Sequence, residues 1–327
     1  LPNGRTVRNV AAMPDSPHPT VPAPRVPPPR AIRIGIDLGG TKIEAVALDP
    51  AGHIVARERV PTPRSYPETV QALTDLVGAL ERPLGVQATV GIGIPGVVVP
   101  ETGLVKNANS TWLIGQPLQR DLETALARAV RMENDANCFA LSEASDGAAA
   151  GARVVFGVIM GTGCGGGIVV NGQLLTGRNL IAGEWGHNPL PWPQLDEIPG
   201  PPCYCGKRGC IETWISGPAV AADHMRATGE TLTAPEIMAA ASRGEPGAVA
   251  TRARLVHRAA RSLATVINVL DPDVIVLGGG LSNTEGLATD LEHAVAPWVF
   301  SDRVTTQVVV NRHGDASGVR GAAWLWG

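Results

Sequence analysis

Two related α/β lobes are what this chain predicts, and three observations carry the prediction. Short apolar runs of strand type alternate with helical periodicity from residue 31 to residue 327. Three of those runs end in glycine clusters, at Gly39–Gly40, Gly161–Gly167 and Gly278–Gly280. The strand–turn–strand pattern of residues 31 to 49 returns, loosely, in "RVVFGVIMGTGCGGGIVVNGQLL".

Composition bounds the class. A chain of 327 residues exceeds what one hydrophobic core usually supports. With 44% apolar and 17% charged residues it is globular, neither fibrous nor disordered throughout. A net charge of -3 without a dense basic block argues against a nucleic-acid surface. No apolar stretch approaches the roughly 18 residues of a membrane span. No basic segment followed by an apolar core marks a signal peptide, so the expected location is the cytoplasm.

In chain order, residues 1 to 30 carry eight prolines between Pro14 and Pro29 and few large apolar residues. Such a segment buries too little to offset its ordering entropy and is expected to be a flexible leader. "AIRIGIDLGG", "IEAVALD" and "GHIVARERV" read as three successive strands, an antiparallel meander. Ser65 and Glu68 have capping-box spacing, and Val70, Leu73, Val77 and Leu80 predict a helix from about Tyr66 to Leu80. "VQATVGIGIPG" is a strand apolar enough to be central. A helix is expected over about 117 to 129, then a short strand in "VRMEND", then an alanine-rich helix. Residues 183 to 210 are an irregular excursion. Helices dominate from about 218 to 270, followed by strands in "DVIVLGGG" and "TTQVVV" and a terminal helix over 316 to 326. The expected division is a small lobe over 31–131, joined by the C-terminal 312–327, and a large lobe over 132–311.

The glycine turns fall at carboxyl ends of strands, where open sheets bind ligands. In Asp37-Leu38-Gly39-Gly40-Thr41-Lys42 the glycines let backbone N–H groups converge on a phosphate. Thr41 adds a hydroxyl, Lys42 a positive charge, and Asp37 a carboxylate for magnesium. The pattern is neither a Walker loop nor a dinucleotide fingerprint. Gly161-Thr162-Gly163-Cys164-Gly165-Gly166-Gly167 holds five glycines in seven residues, more than a plain hairpin needs. Gly278-Gly279-Gly280 offers a flat surface suited to an adenine or ribose. One such turn is explained by a hairpin; three together point to a nucleotide cleft.

The five cysteines include three crowded into eight residues, Cys203, Cys205 and Cys210. With His187 they make a Cys₃His set, the chemistry of a closed structural zinc site. Gly206 and Gly209 allow the bends that bring Cys210 in. Cys138 and Cys164 are read as free thiols.

DLGGTK, the GTGCGGG turn and the GGG turn together resemble the two-lobed, actin-like (ribonuclease H-like) sugar-kinase fold. More narrowly, with the GHxx and CxCGxxGC arrangement, residues 31 to 327 resemble the ROK family (repressors, open reading frames and sugar kinases). The resemblance implies ATP, Mg²⁺ and structural Zn²⁺ as cofactors. It implies that Gly39, Gly40, Thr41, Lys42, Thr162, Gly163 and Gly165 bind phosphates, that Asp37 serves the nucleotide through magnesium, and that Gly278, Gly279 and Gly280 border the adenosine. Asp135 of the Asn134-Asp135 pair, otherwise readable as a helix cap, becomes the general base. Asn109, Asn134, Asp135, Glu184, His187 and Glu212 become candidate hexose contacts, the last three hung on the zinc loop over 183–212.

"LVKNANSTWLIGQPL", "AGEWGHNPLPW" and "VRGAAWLW" look nearest the bacterial fructokinase and mannokinase branch. The implied activity is ATP:D-hexose 6-phosphotransfer to fructose, with mannose or glucose as weaker substrates. Glucokinase and N-acetylglucosamine or N-acetylmannosamine kinase are the alternatives within the family. A sugar-responsive repressor needs a helix-turn-helix domain, for which thirty proline-rich residues are too few. The resemblance also implies a homodimer formed largely by the second lobe.

Overall fold

The computed structural model describes residues 31–108 and 110–327. The expected leader and the candidate sugar contact Asn109 lie outside the described residues.

Strands buried on both faces build the centre of the first sheet. Strands β1 (Arg33–Leu38), β2 (Lys42–Leu48) and β3 (Ile54–Pro61) form the antiparallel meander. β4 (Thr89–Ile94) and β7 (Val130–Asn134) add in parallel, giving the order β3-β2-β1-β4-β7. Between them lie a ribbon of β5 (Val97–Val98) with β6 (Val105–Lys106) and helix α2 (Leu118–Leu126). Ile34, Ile36 and Leu38 face α2 and α1 (Tyr66–Leu84). α1 runs a turn past Leu80 and stops where Gly85 takes a left-handed φ of 63° and donates to Glu81 O. The Ser65 hydroxyl donates to the Glu68 carboxylate at 2.7 Å, and neither side chain caps the backbone, so the expected capping box does not form.

The second sheet repeats the design. β8 (Val154–Met160), β9 (Cys164–Val170) and β10 (Gln173–Leu174) are antiparallel, and β11 (Val274–Gly278) and β12 (Gln307–Val310) add in parallel. The order β10-β9-β8-β11-β12 matches the first sheet strand for strand in direction and sequence. One face carries the largest core, formed with α4 (Glu212–Ile215), α5 (Gly217–Thr228), α6 (Ala234–Ser242), α7 (Pro246–Leu270) and α8 (Leu287–Val295).

Two exchanged helices join the sheets. α3 (Asp135–Ser145) leaves the first sheet and packs on the second, where Phe139 and Ala140 meet Val155, Val169 and Val276. α9 (Ser317–Trp324) leaves the second sheet and packs on the first. Small residues make this close contact possible. A Cβ on Gly35 would lie 2.0 Å from Val319 O, and one on Gly321 would lie 1.7 Å from Cys138 O. The layers therefore run α1/α2, first sheet, α9 with α3, second sheet, α4–α8. β7 extends the first sheet to Asn134, past the residue 131 boundary drawn from the sequence. No helix among the described residues is long and apolar enough to cross a membrane.

Candidate functional site

Asp37 closes β1, and Gly318 at the start of α9 lies against it: a Cβ there would be 3.8 Å from its carboxylate. Burial, the Asp135 charge and the Glu44 charge push Asp37 up to about 6, with Lys42 opposing them. Asp135 opens α3. Burial raises it too, the Glu184 charge adds to the rise, and the N–H of Ala136, 2.8 Å from Oδ1, works against it. The Asn134 carboxamide accepts from the same N–H at 2.9 Å and donates to Gly96 O at 3.4 Å. The helix cap and the carboxylate are thus one structure, and the cap aims Asp135.

The first glycine turn is open. Gly39 N–H donates to Lys42 O at 3.1 Å, and Thr62 Oγ1 donates to Gly39 O at 2.7 Å. Gly40 and Thr41 are exposed, and nothing lies within 4 Å of a Cβ placed on Gly40. Lys42 Nζ is 3.8 Å from Glu44, a carboxylate also paired with Arg57 and Arg59.

The second turn is braced. Glu212 Oε2 accepts from Cys164 N–H at 2.9 Å, and a Cβ on Gly163 would sit 2.7 Å from that oxygen. Trp185 Nε1 donates to Gly165 O at 3.1 Å, while Gly165 backs onto Ala136 at the start of α3. Thr162 is exposed. At the third turn, Gly279 and Gly280 are exposed, and Gly279 takes a φ of 79° with Met160 backbone close behind it. Gly278 is buried, and a Cβ there would collide with the Phe139 ring at 2.4 Å. Its lack of a side chain serves packing between α3 and β11.

The donor atoms of His187, Cys203, Cys205 and Cys210 lie within 4.8 Å of one another. His187 Nδ1 is 3.5 Å from Cys203 Sγ, and Cys205 Sγ is 3.6 Å from Cys210 Sγ. A tetrahedral zinc with bonds of about 2.0–2.3 Å separates its donors by roughly 3.5–3.8 Å, so the set fits that ion. Gly206 and Gly209, both at positive φ, make the bends. His187 Nε2 faces away, 2.9 Å from the Tyr204 hydroxyl and 4.0 Å from Glu184.

Two features escaped the sequence reading. Tyr204, 83% exposed, holds the outer nitrogen of His187 and stacks edge-on with its ring. The outer arm of the excursion is pinned separately: Glu197 accepts from Arg258 Nε at 2.8 Å and from Arg261 at 2.9 and 2.8 Å, all buried. Asp223 links Arg258 to Arg254 in the same network. Two arginines three apart on α7 were the available signal.

The ROK family's pattern matches residues 33–327. The chain belongs to the ROK family. Among its ROK relatives, N-acetyl-D-glucosamine kinase of Yersinia pseudotuberculosis is 44% identical over 296 residues, covering 89% of this chain and 97% of that protein. A ROK hexokinase from Thermus thermophilus superposes with a TM-score of 0.80 at 33% identity, over 90% of this chain and 97% of that one. A ROK glucokinase from Streptomyces griseus, solved with glucose and AMPPNP, gives 0.73 at 31%, over 90% and 98%. These ROK relatives do not single out the fructokinase and mannokinase branch. Two of the stretches that suggested it answer largely to packing: most of "VRGAAWLW" lies in α9, packed on the first sheet, and in "AGEWGHNPLPW", beside Glu184 and His187, Trp185 packs on Phe156 while Pro191 O accepts from Arg261. Such packing carries no record of which sugar is held.

Proposed function

We propose that the protein is an ATP-dependent sugar kinase that phosphorylates the 6-hydroxyl of N-acetylglucosamine. The observation that carries the reading is the 44% identity to an N-acetylglucosamine kinase over 97% of that protein's length. Asp135, Asp37 and the glycine turns supply the chemistry such an enzyme needs. Asp135 accepts the hydroxyl proton through the oxygen not held by Ala136, and the Asn134 cap keeps it aimed at the acceptor. Phosphoryl transfer has a loose transition state, so positioning and charge stabilisation do most of the catalysis. The open N–H groups of the first turn and the exposed Gly279–Gly280 surface take the nucleotide. Asp37 is the carboxylate that would hold magnesium, which neutralises phosphate charge; its buried, acid-flanked position suits a cation. His187 and the three cysteines would hold zinc, which would keep Glu184 and Glu212 in place for the sugar hydroxyls.

Glucose is the second reading, because the hexokinase and glucokinase above superpose along nearly their whole length. A coupled ADP-release assay over N-acetylglucosamine, N-acetylmannosamine, glucose, mannose and fructose separates the readings. The highest kcat/KM is expected on N-acetylglucosamine. Preference for glucose would overturn the acetylated substrate alone, and turnover of no sugar would overturn the kinase.

A further inference from the structure

We propose that Glu212 is a positioning residue for the second glycine turn, so that the metal-held segment sets nucleotide affinity as well as the sugar site. The inference rests on the kinase reading in taking ATP as the ligand of that turn. Three consecutive links carry it. Cys210 belongs to the metal set. Two residues on, Glu212 Oε2 accepts from Cys164 N–H at 2.9 Å. Five further on, Gly217 N–H donates to Gly161 O at 2.8 Å. Residues 210 to 217 therefore hold the turn at its first residue and at its middle.

The link is stiff. Thr213 donates twice to Cys210 O, through N at 2.9 Å and Oγ1 at 2.7 Å, and Ile211 N–H donates to Asn188 O at 2.9 Å. A displaced Cys210 must carry Glu212 with it. Gly163 leaves just enough room for the carboxylate, since any Cβ there would meet Oε2 at 2.7 Å. A turn rich in glycine has little rigidity of its own, so an outside brace decides where its N–H groups point. The outer arm of the excursion needs no metal, because Arg258 and Arg261 hold Glu197. Loss of metal should therefore loosen the inner arm, which bears on the turn.

The test is direct binding of a non-hydrolysable ATP analogue by calorimetry, without sugar. E212A should weaken binding about tenfold or more, the cost of losing a hydrogen bond to a charged group. E212Q should stay within about threefold, because its amide oxygen accepts the same N–H. C205A should weaken binding as E212A does, and the double variant should be no worse than either single one, since both break one linkage. Wild-type affinity in folded E212A, or additive losses in the double variant, would overturn the proposal. If E212A does not fold, wild type stripped of metal by a chelator replaces it: affinity should fall and return on adding zinc, and unchanged affinity overturns the proposal. A wild type that binds no analogue overturns this proposal and the kinase reading together, whereas analogue binding without sugar turnover overturns only the latter.

Discussion

The two glycine turns occupy equivalent places, between the first two strands of sheets with the same order and directions, yet they are held differently. The β1–β2 turn is tied to its own sheet by Thr62 and is otherwise exposed. The β8–β9 turn is clasped by Glu212, Trp185 and Gly217, all contributed by or just after the excursion that carries His187 and the three clustered cysteines. One frame thus occurs twice, and the excursion in the second makes its turn the fixed reference while the first turn stays free. A free turn suits a ligand that must arrive and leave; a fixed turn suits chemistry that demands an aimed phosphate.

Variants that sharpen this contrast have effects of graded size. Asp135→Asn removes the carboxylate where the α3 start backs onto the fixed turn. It should lower kcat by about 10²–10⁴-fold while sugar binding persists, as read by turnover and by sugar titration. Retention of more than about a tenth of kcat would remove Asp135 as the base. Because burial and Glu184 raise Asp135, kcat/KM in the wild type should fall with acidification from a pH above the usual carboxylate range.

Cys205→Ala breaks the metal set. Elemental analysis should find about one zinc per wild-type chain and little in the variant. Sugar turnover should drop on the order of 10²-fold through misplaced Glu184 and Glu212. Normal turnover in a metal-free variant would separate the metal from the site.

On the open side, Asp37→Asn tests a buried charge. The folded-state value of Asp37, about 6, lies above the usual 3.8, so the native protein holds this proton more tightly than the unfolded chain. Its contribution to stability is favourable at low pH and is lost as pH rises through that interval. Asparagine should therefore stabilise the protein above about pH 6 by about 3 kcal/mol, read as a higher melting temperature, and bring no gain below about pH 4. Equal effects at both pH values would contradict the assignment.

The smallest effect is expected at Gly40→Ala, which meets no atom within 4 Å. Thermal stability should change by less than about 0.5 kcal/mol. Gly163→Ala, in the fixed turn against Glu212, should cost about 1–3 kcal/mol. Equal melting temperatures for the two would erase the contrast between the turns.

Much of this was legible in the chain. The meander, the central β4, the three glycine turns and the Cys₃His set all follow from patterns a few residues long. Strand alternation, a glycine pair after an apolar run and ligands crowded between Cys203 and Cys210 are local in sequence and in chemistry. Less legible were features fixed by distant partners. α1 outran its apolar stripe because Gly85 sets its end. Gly278 must be glycine because Phe139, far earlier in the chain, packs against it. The preferred sugar could not be read from "VRGAAWLW", because those residues answer to the packing of α9.

By itself the sequence determined the Cys₃His set that could hold a metal and the carboxylates available for chemistry, since residue identity and short spacing set both. Tertiary structure alone decided that α3 and α9 exchange sheets, that Arg258 and Arg261 converge on Glu197, and that Glu212 reaches Cys164 across forty-eight positions of chain. The physical reason is common to all three. A long-range contact forms where two surfaces fit and bury together, and no short stretch of either partner encodes the other's shape.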